Sequence, residues 1–249
     1  MHKIKISTNN IQIIIQGRMN IMSQEHIILY WIYVIVMLTG ALVIAIMSRN
    51  SKGVPKINYF ISLFIPMWSA ILYIPIATLI GTNNINAKTI FYAKYLDCIV
   101  TIPLLLILLC LTGMYNMKKN NTILFGVAFS SIIMILFIFI GSLQIGINIY
   151  ICFFIEVLIS LIVLWVIWGP IEDIASTQGY KVYGLYKNMS LYFTIFFGSY
   201  FISWIMSSSV YNLVSKKFYI YIFITISVLF KLGFGLVNII GLRKLEENE

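Results

Sequence analysis

Seven stretches of almost unbroken apolar sequence, each about 20 residues long, decide the fold class of this chain before any motif is considered. They fall at roughly residues 27–47, 58–80, 89–112, 122–144, 149–168, 189–210 and 218–242, and each is long enough as a helix to cross about 30 Å of hydrocarbon. Only 10% of the residues are charged and 61% are hydrophobic, whereas a soluble domain carries about 25% charge. The implied architecture is all-α and integral to a membrane, a bundle of seven transmembrane helices. Residues 25–243 form one membrane domain, 1–24 an N-terminal segment and 244–249 an acidic tail. The run Ile11 to Ile15 is too short and too interrupted for a secretory signal, so the first membrane helix is expected to direct insertion.

Polar residues collect in the breaks: Ser51-Lys52-Gly53, Gly81 to Asn84, Lys118 to Asn121, Gly141-Ser142, a longer stretch from Gly169 to Asn188, and Ser215 to Lys217. Only the loop between the fifth and sixth helices reads as long. Nine basic residues lie on the side holding the C-terminus, among them Arg49, Lys118, Lys119 and Arg243, against six on the other. That bias favours an external N-terminus and a cytoplasmic C-terminus, with the plasma membrane as the expected location. The net charge of +9 comes from lysines and arginines scattered over loops and ends. They suit anionic lipid headgroups, and no basic helix face or motif calls for nucleic acid. Cys98, Cys110 and Cys152 sit within apolar stretches without metal or redox spacing, and read as packing residues.

Of the eight acidic residues, only Asp97 and Glu156 fall within spans, and of the basic residues only Lys94 and Lys231. An ionisable group at membrane depth costs several kcal/mol and is a functional hypothesis by default. Lys94 is close enough to the start of the third helix to reach outward. Lys231 is near mid-bilayer, in Val228-Leu229-Phe230-Lys231-Leu232-Gly233-Phe234-Gly235. One role for it is a salt bridge with Asp97 that aids bundle assembly. The other is chemical: a buried amine can be neutral and condense with a carbonyl, and the protonated Schiff base so formed needs a counterion. Asp97 can supply it. Lys94, Asp97 and Thr101 are spaced i, i+3 and i+7 on one helix face, so Thr101 is expected to donate its hydroxyl to the carboxylate.

At this point the residues resemble the microbial (type 1) rhodopsins. The third helix, Lys94-Tyr95-Leu96-Asp97-Cys98-Ile99-Val100-Thr101-Ile102-Pro103-Leu104-Leu105-Leu106, is similar to the family's R-Y-x-D-W-x-x-T-x-P-L-L-L. The seventh resembles its retinal-lysine segment K-x-G-F-G in Lys231 to Gly235, and the sixth resembles W-x-x-Y-P-x-x-W in Phe197 to Trp204. The likeness runs from about residue 27 to 243. It implies all-trans retinal as a protonated Schiff base on Lys231, with Asp97 as counterion and first proton acceptor. It implies a pocket of Tyr95, Cys98, Thr101, Leu105, Phe154, Phe197, Tyr200, Trp204 and Phe230, flat walls that suit a polyene. The partners implied are the lipid bilayer, protons or other small ions, and further copies of the chain in a trimer or pentamer.

The departures carry as much. Lys94 replaces an arginine, Cys98 and Phe197 replace two tryptophans, and Phe201 replaces a proline. Ser227, one turn before Lys231, stands where most family pumps have a second aspartate. Leu108 stands in the place of the outward pump's cytoplasmic proton donor, about 16 Å along the helix from Asp97. One positive charge is thus in excess at the site, and Lys94 is expected to point outward and leave Asp97 the sole partner of the Schiff base. Glu156 matches no family motif: packing or an oligomer interface, a water pocket, and colour tuning near the ring of retinal all stay open. The residues favour a light-driven proton transporter that works inward or weakly rather than as an efficient outward pump. A sensory photoreceptor acting through a partner, a light-gated channel and an opsin relative without pigment are the other readings, and none is an enzyme.

Overall fold

Large apolar side chains both fill the bundle and cover its outside, and the few polar ones within the spans turn inward. The computed structural model describes residues 24–51, 53–78, 82–85, 88–143, 147–205 and 216–246. The seven apolar windows form seven helices: α1 (Gln24–Ser48), α2 (Lys56–Ala77), α3 (Tyr92–Gly113), α4 (Asn121–Leu143), α5 (Ile147–Val166), α6 (Tyr180–Ile205) and α7 (Lys216–Val228). Both α5 and α7 continue beyond those bounds. A π turn, Ile167–Ile171, carries α5 into Glu172–Ser176, and a second, Leu229–Gly233, carries α7 into Phe234–Glu246. Six of the seven are long and apolar enough to cross a membrane. The remaining one, α6, is 26 residues long, and Lys181, Lys187 and Asn188 dilute the apolar character of its first turns.

Helices are what lipid demands, because backbone groups there find no water and must pair within their own segment. Phe125 and Trp165 are 75% and 67% exposed, as befits rings that face acyl chains. Meanwhile Ser62, Ser69, Thr112 and Asn238 are all fully buried. Consecutive helices pack together and α7 returns to α1, which closes the ring. Two apolar clusters fill it. One gathers α3 to α6 around Leu105, Leu108, Phe193 and Phe197, and the other gathers α1 and α2 around Tyr33, Met37 and Tyr73. Because α7 gives Phe230 and Phe234 to the first and Ile239 to the second, it forms the seam between them.

Gly40 of α1 marks a close approach at this seam: a methyl group there would come within 2.3 Å of the Leu232 side chain. Gly40→Ala is expected to lower stability by about 1–3 kcal/mol through overpacking, read as a fall in the thermal midpoint in detergent.

Several expectations need correction. The long loop between the fifth and sixth helices does not exist, since only residues 177–179 separate the extended α5 from α6. Gly169-Pro170 reads as a break, yet the π turn accommodates the missing N–H of Pro170, and the Tyr186 hydroxyl donates to the Ile167 carbonyl at 2.6 Å. Gly179, with φ +96, supplies the left-handed residue that lets the chain reverse. The Gln178 side chain then fastens this turn to the other nearby loop by donating to the Gly113 carbonyl and accepting from the Asn116 N–H. Glu172 and Asp173 are therefore helical. Gly141 and Ser142 also lie inside a helix, α4, rather than in a break. Ahead of α3, residues expected to begin the helix instead form a hairpin, β1 (Thr82–Ile85) antiparallel to β2 (Lys88–Phe91), with Thr82 opposite Phe91. Thr89, Ile90 and Phe91 favour a strand once outside the bilayer, where strand pairing can satisfy the backbone.

Candidate functional site

Lys231 lies in the π turn of α7, fully buried, and its Nζ donates to Oδ2 of Asp97, which is equally buried on α3. The pair spans the seam between the two apolar clusters. Ser69 of α2 donates to the other carboxylate oxygen, Oδ1, at 2.7 Å. Each oxygen thus has a donor, as a buried carboxylate requires. Thr101 takes a different part from the one expected: its hydroxyl donates to the backbone carbonyl of Asp97 at 2.8 Å, one turn back along its own helix, and not to the carboxylate. A threonine in a helix often satisfies itself in this way.

The Ser227 and Tyr200 hydroxyls are 2.6 Å apart, which ties α7 to α6 one turn before Lys231. Lys94 sits at the start of α3 and turns toward α7. Its amine donates to the Tyr219 hydroxyl and lies 3.5 Å from the centre of the Phe223 ring, a cation–π contact. No bond joins it to Asp97 among the described residues.

Aromatic rings wall the space beside the ion pair. Phe230 packs on Phe193 and Tyr200 with ring centres 5.2 and 5.5 Å apart, and Phe193 stacks on Phe197 at 5.3 Å. A cavity runs from there toward α4 and α5, lined by Lys94, Tyr95, Cys98, Phe197, Tyr200 and Glu156 among others. Of the expected pocket residues, Tyr95, Cys98, Phe197 and Tyr200 line this cavity, while Leu105 and Phe230 are fully buried in the packed core beside it. Phe154 does not belong, since it is 62% exposed on the outer face of α5. The reason is angular: two residues along an α-helix turn the side chain by about 200°, so Glu156 facing inward at 1% exposure sends Phe154 outward. Glu156 in turn lines the cavity instead of an outer surface. The side chain of Trp204 lies outside the described residues.

Sequence reasoning missed Ser69, Phe193, Tyr219 and Phe223. A signal for the first existed, because Asn58, Ser62 and Ser69 fall at i, i+4 and i+11 on one face of α2, and all three are buried. At the other end of the bundle, that face opens a polar chain across three helices. The Asn58 amide donates to Asn238 on α7, whose own amide donates to Thr112 on α3. Ser69→Ala is expected to cost about 1.5–3 kcal/mol, the range for a hydrogen bond to a charged group, read by thermal unfolding.

The profile of the bacteriorhodopsin-like protein family matches residues 24–245. The chain belongs to that family. It is 24% identical to sensory rhodopsin-2 of Natronomonas pharaonis over 211 residues, which cover 84% of this chain and 86% of the relative. Among solved structures, thermophilic rhodopsin from Rubrobacter xylanophilus superposes with a TM-score of 0.84 at 24% identity, covering 89% of this chain and 98% of that one. A cyanorhodopsin from Calothrix sp. gives 0.83 at 22%, covering 90% and 98%. The light-driven proton pump of Coccomyxa subellipsoidea gives 0.80 at 22%, covering 88% and 97%. This bacteriorhodopsin-like chain is thus a divergent microbial rhodopsin, an integral membrane protein of seven helices with Lys231 on the last of them.

Proposed function

We propose that this chain is a light-activated retinal protein, with Lys231 as the attachment site and Asp97 as counterion and proton acceptor. One observation carries the reading: the fully buried Lys231–Asp97 pair, set beside a cavity with aromatic walls. An amine in this position has little structural reason to exist, since an apolar pair of similar volume is often no less stable. The surroundings fit retinal, with an amine at one end and flat apolar surfaces beyond it. Tyr95, Cys98, Thr101, Leu105, Phe197, Tyr200 and Phe230 would hold it, together with Trp204 from the resemblance. When bound through the Lys231 nitrogen, retinal supplies a delocalised cation that light isomerises.

The rest falls to the protein's own side chains. Asp97 takes a proton from the Lys231 nitrogen at Oδ2, while Ser69 holds Oδ1 and fixes the orientation of the carboxylate. Ser227 is neutral and engaged by Tyr200, so it contributes no second anion. Lys94 is engaged by Tyr219 and Phe223, so among the described residues it does not compete with the Lys231 nitrogen for the Asp97 carboxylate. On the side away from Lys94, Leu108 is fully buried, and Asn58, Thr112 and Asn238 form the polar chain. Amides and hydroxyls do not give up protons near neutrality. Return of the proton from that side is then slow, which supports inward or weak transport over efficient outward pumping. The same observation favours a second reading, a sensor that signals by change of shape and needs no proton donor. An external N-terminus, residence in the plasma membrane and a trimer or pentamer belong to this proposal.

The test is the light-induced pH change of a suspension of cells that express the protein with retinal, with and without an uncoupler. Alkalinisation of the medium is the expected result. Sustained acidification would overturn the inward assignment, and no signal from a coloured, photocycling protein would move it to the sensor.

A further inference from the structure

We propose that the Glu156 end of the cavity recognises an oxygen atom on the ring of the bound chromophore, so that the preferred ligand is a retinoid aldehyde whose ring carries a hydroxyl or keto group. This deepens the reading of Lys231 as the attachment site and rests on it. The cavity has two ends. Neither Lys231 nor Asp97 lines it, and the end nearer to them is that of Cys98, which follows Asp97 on α3, and Tyr200, which bonds Ser227 and packs on Phe230. The other end is closed by α4 and α5, through Met134, Ile138 and Glu156. A chromophore fixed at Lys231 and extending along the cavity therefore brings its ring, and not its polyene chain, to Glu156.

Glu156 is 1% exposed, and its Oε2 has no hydrogen-bond partner among the described residues. The hydroxyls nearby are already engaged elsewhere. Ser142 donates to the Phe139 carbonyl at 2.6 Å, Ser203 to the Tyr200 carbonyl at 3.1 Å, and Ser160 to the backbone carbonyl of Glu156 itself at 2.8 Å. Lys94, the cation lining the same cavity, donates to Tyr219 rather than to Glu156. A carboxyl without a bonded cation at this depth is carried as the neutral acid, which both donates and accepts. A trapped water is a poor substitute for a partner, because it needs two to four polar contacts, and α4 offers Met134, Ile135 and Ile138 along this wall. A plain hydrocarbon ring leaves the carboxyl unsatisfied, which folded proteins avoid. A ring bearing a hydroxyl or keto oxygen satisfies it.

The experiment offers the purified apoprotein an equimolar mixture of all-trans retinal and its ring-hydroxylated analogue, then releases the bound chromophore and separates the two by chromatography. Enrichment of the hydroxylated form by about tenfold is expected, the worth of one added hydrogen bond. Glu156→Gln should retain part of the preference, and Glu156→Leu should bring it to parity or reverse it. Infrared spectra add a readout independent of those variants' yield: a neutral carboxyl stretch, absent in Glu156→Gln, should move to lower frequency when the hydroxylated form is bound. Parity in the unaltered protein, or a preference that survives Glu156→Leu, overturns the proposal while leaving the attachment reading intact. Absence of any pigment with either compound overturns both.

Discussion

Lys231→Ala should give a folded protein that stays colourless after reconstitution with retinal, because no other described lysine is buried at the centre of the bundle. The substitution has a second effect. It strands the Asp97 carboxylate, fully buried with Ser69 as its remaining donor, and breaking a buried pair on one side costs about 3–5 kcal/mol. The double variant Lys231→Ala, Asp97→Asn removes the stranded charge, so it should recover most of that loss while remaining colourless. Visible absorbance in the single variant, or a double variant no more stable than the single, would contradict this account of the pair.

Asp97→Asn is expected to have the next largest effect, seen in colour rather than in binding. The carboxylate lies against the Lys231 nitrogen, so it stabilises positive charge there more in the ground state than after light has moved that charge along the polyene. Without it, the absorption should shift to the red, or the nitrogen should lose its proton near neutrality and the pigment turn to near-ultraviolet absorption. Neither Ser227 nor Lys94 can compensate, since the first is neutral and the second carries the same sign of charge as the nitrogen. A spectrum unchanged throughout a broad pH titration would remove Asp97 from the counterion role.

The ion pair was legible in the sequence because charge within an apolar span is so rare that two such residues nominate each other. Ser69 was not, because a serine costs little in a membrane helix and carries no signal without its neighbours on the face. Thr101 was misassigned because spacing alone placed its hydroxyl beside Asp97, whereas the local backbone carbonyl was nearer. On α5, apolar and aromatic residues surround the helix, so nothing in the pattern revealed which side faced inward. Only the bundle decided between Phe154 and Glu156. Gly169-Pro170 misled for a physical reason as well: the rule that proline ends a helix assumes α turns, while a π turn shifts the backbone bonds by one residue and passes over the missing N–H.

The turn at Leu229–Gly233 has a consequence for what α7 tolerates. One residue more per turn offsets the angular phase of the helix on either side by about 100°, so the two halves of α7 read their neighbours in different frames. Tyr192 of α6 holds the offset in place by donating to the Leu229 carbonyl at 2.7 Å. Were the same residues wound as a regular α-helix, every residue from Phe234 onward would rotate by that angle, carrying Asn238 away from Asn58 and Thr112. A substitution that straightens this turn therefore disturbs contacts far along α7, whereas loss of one residue within it leaves the faces on either side in place.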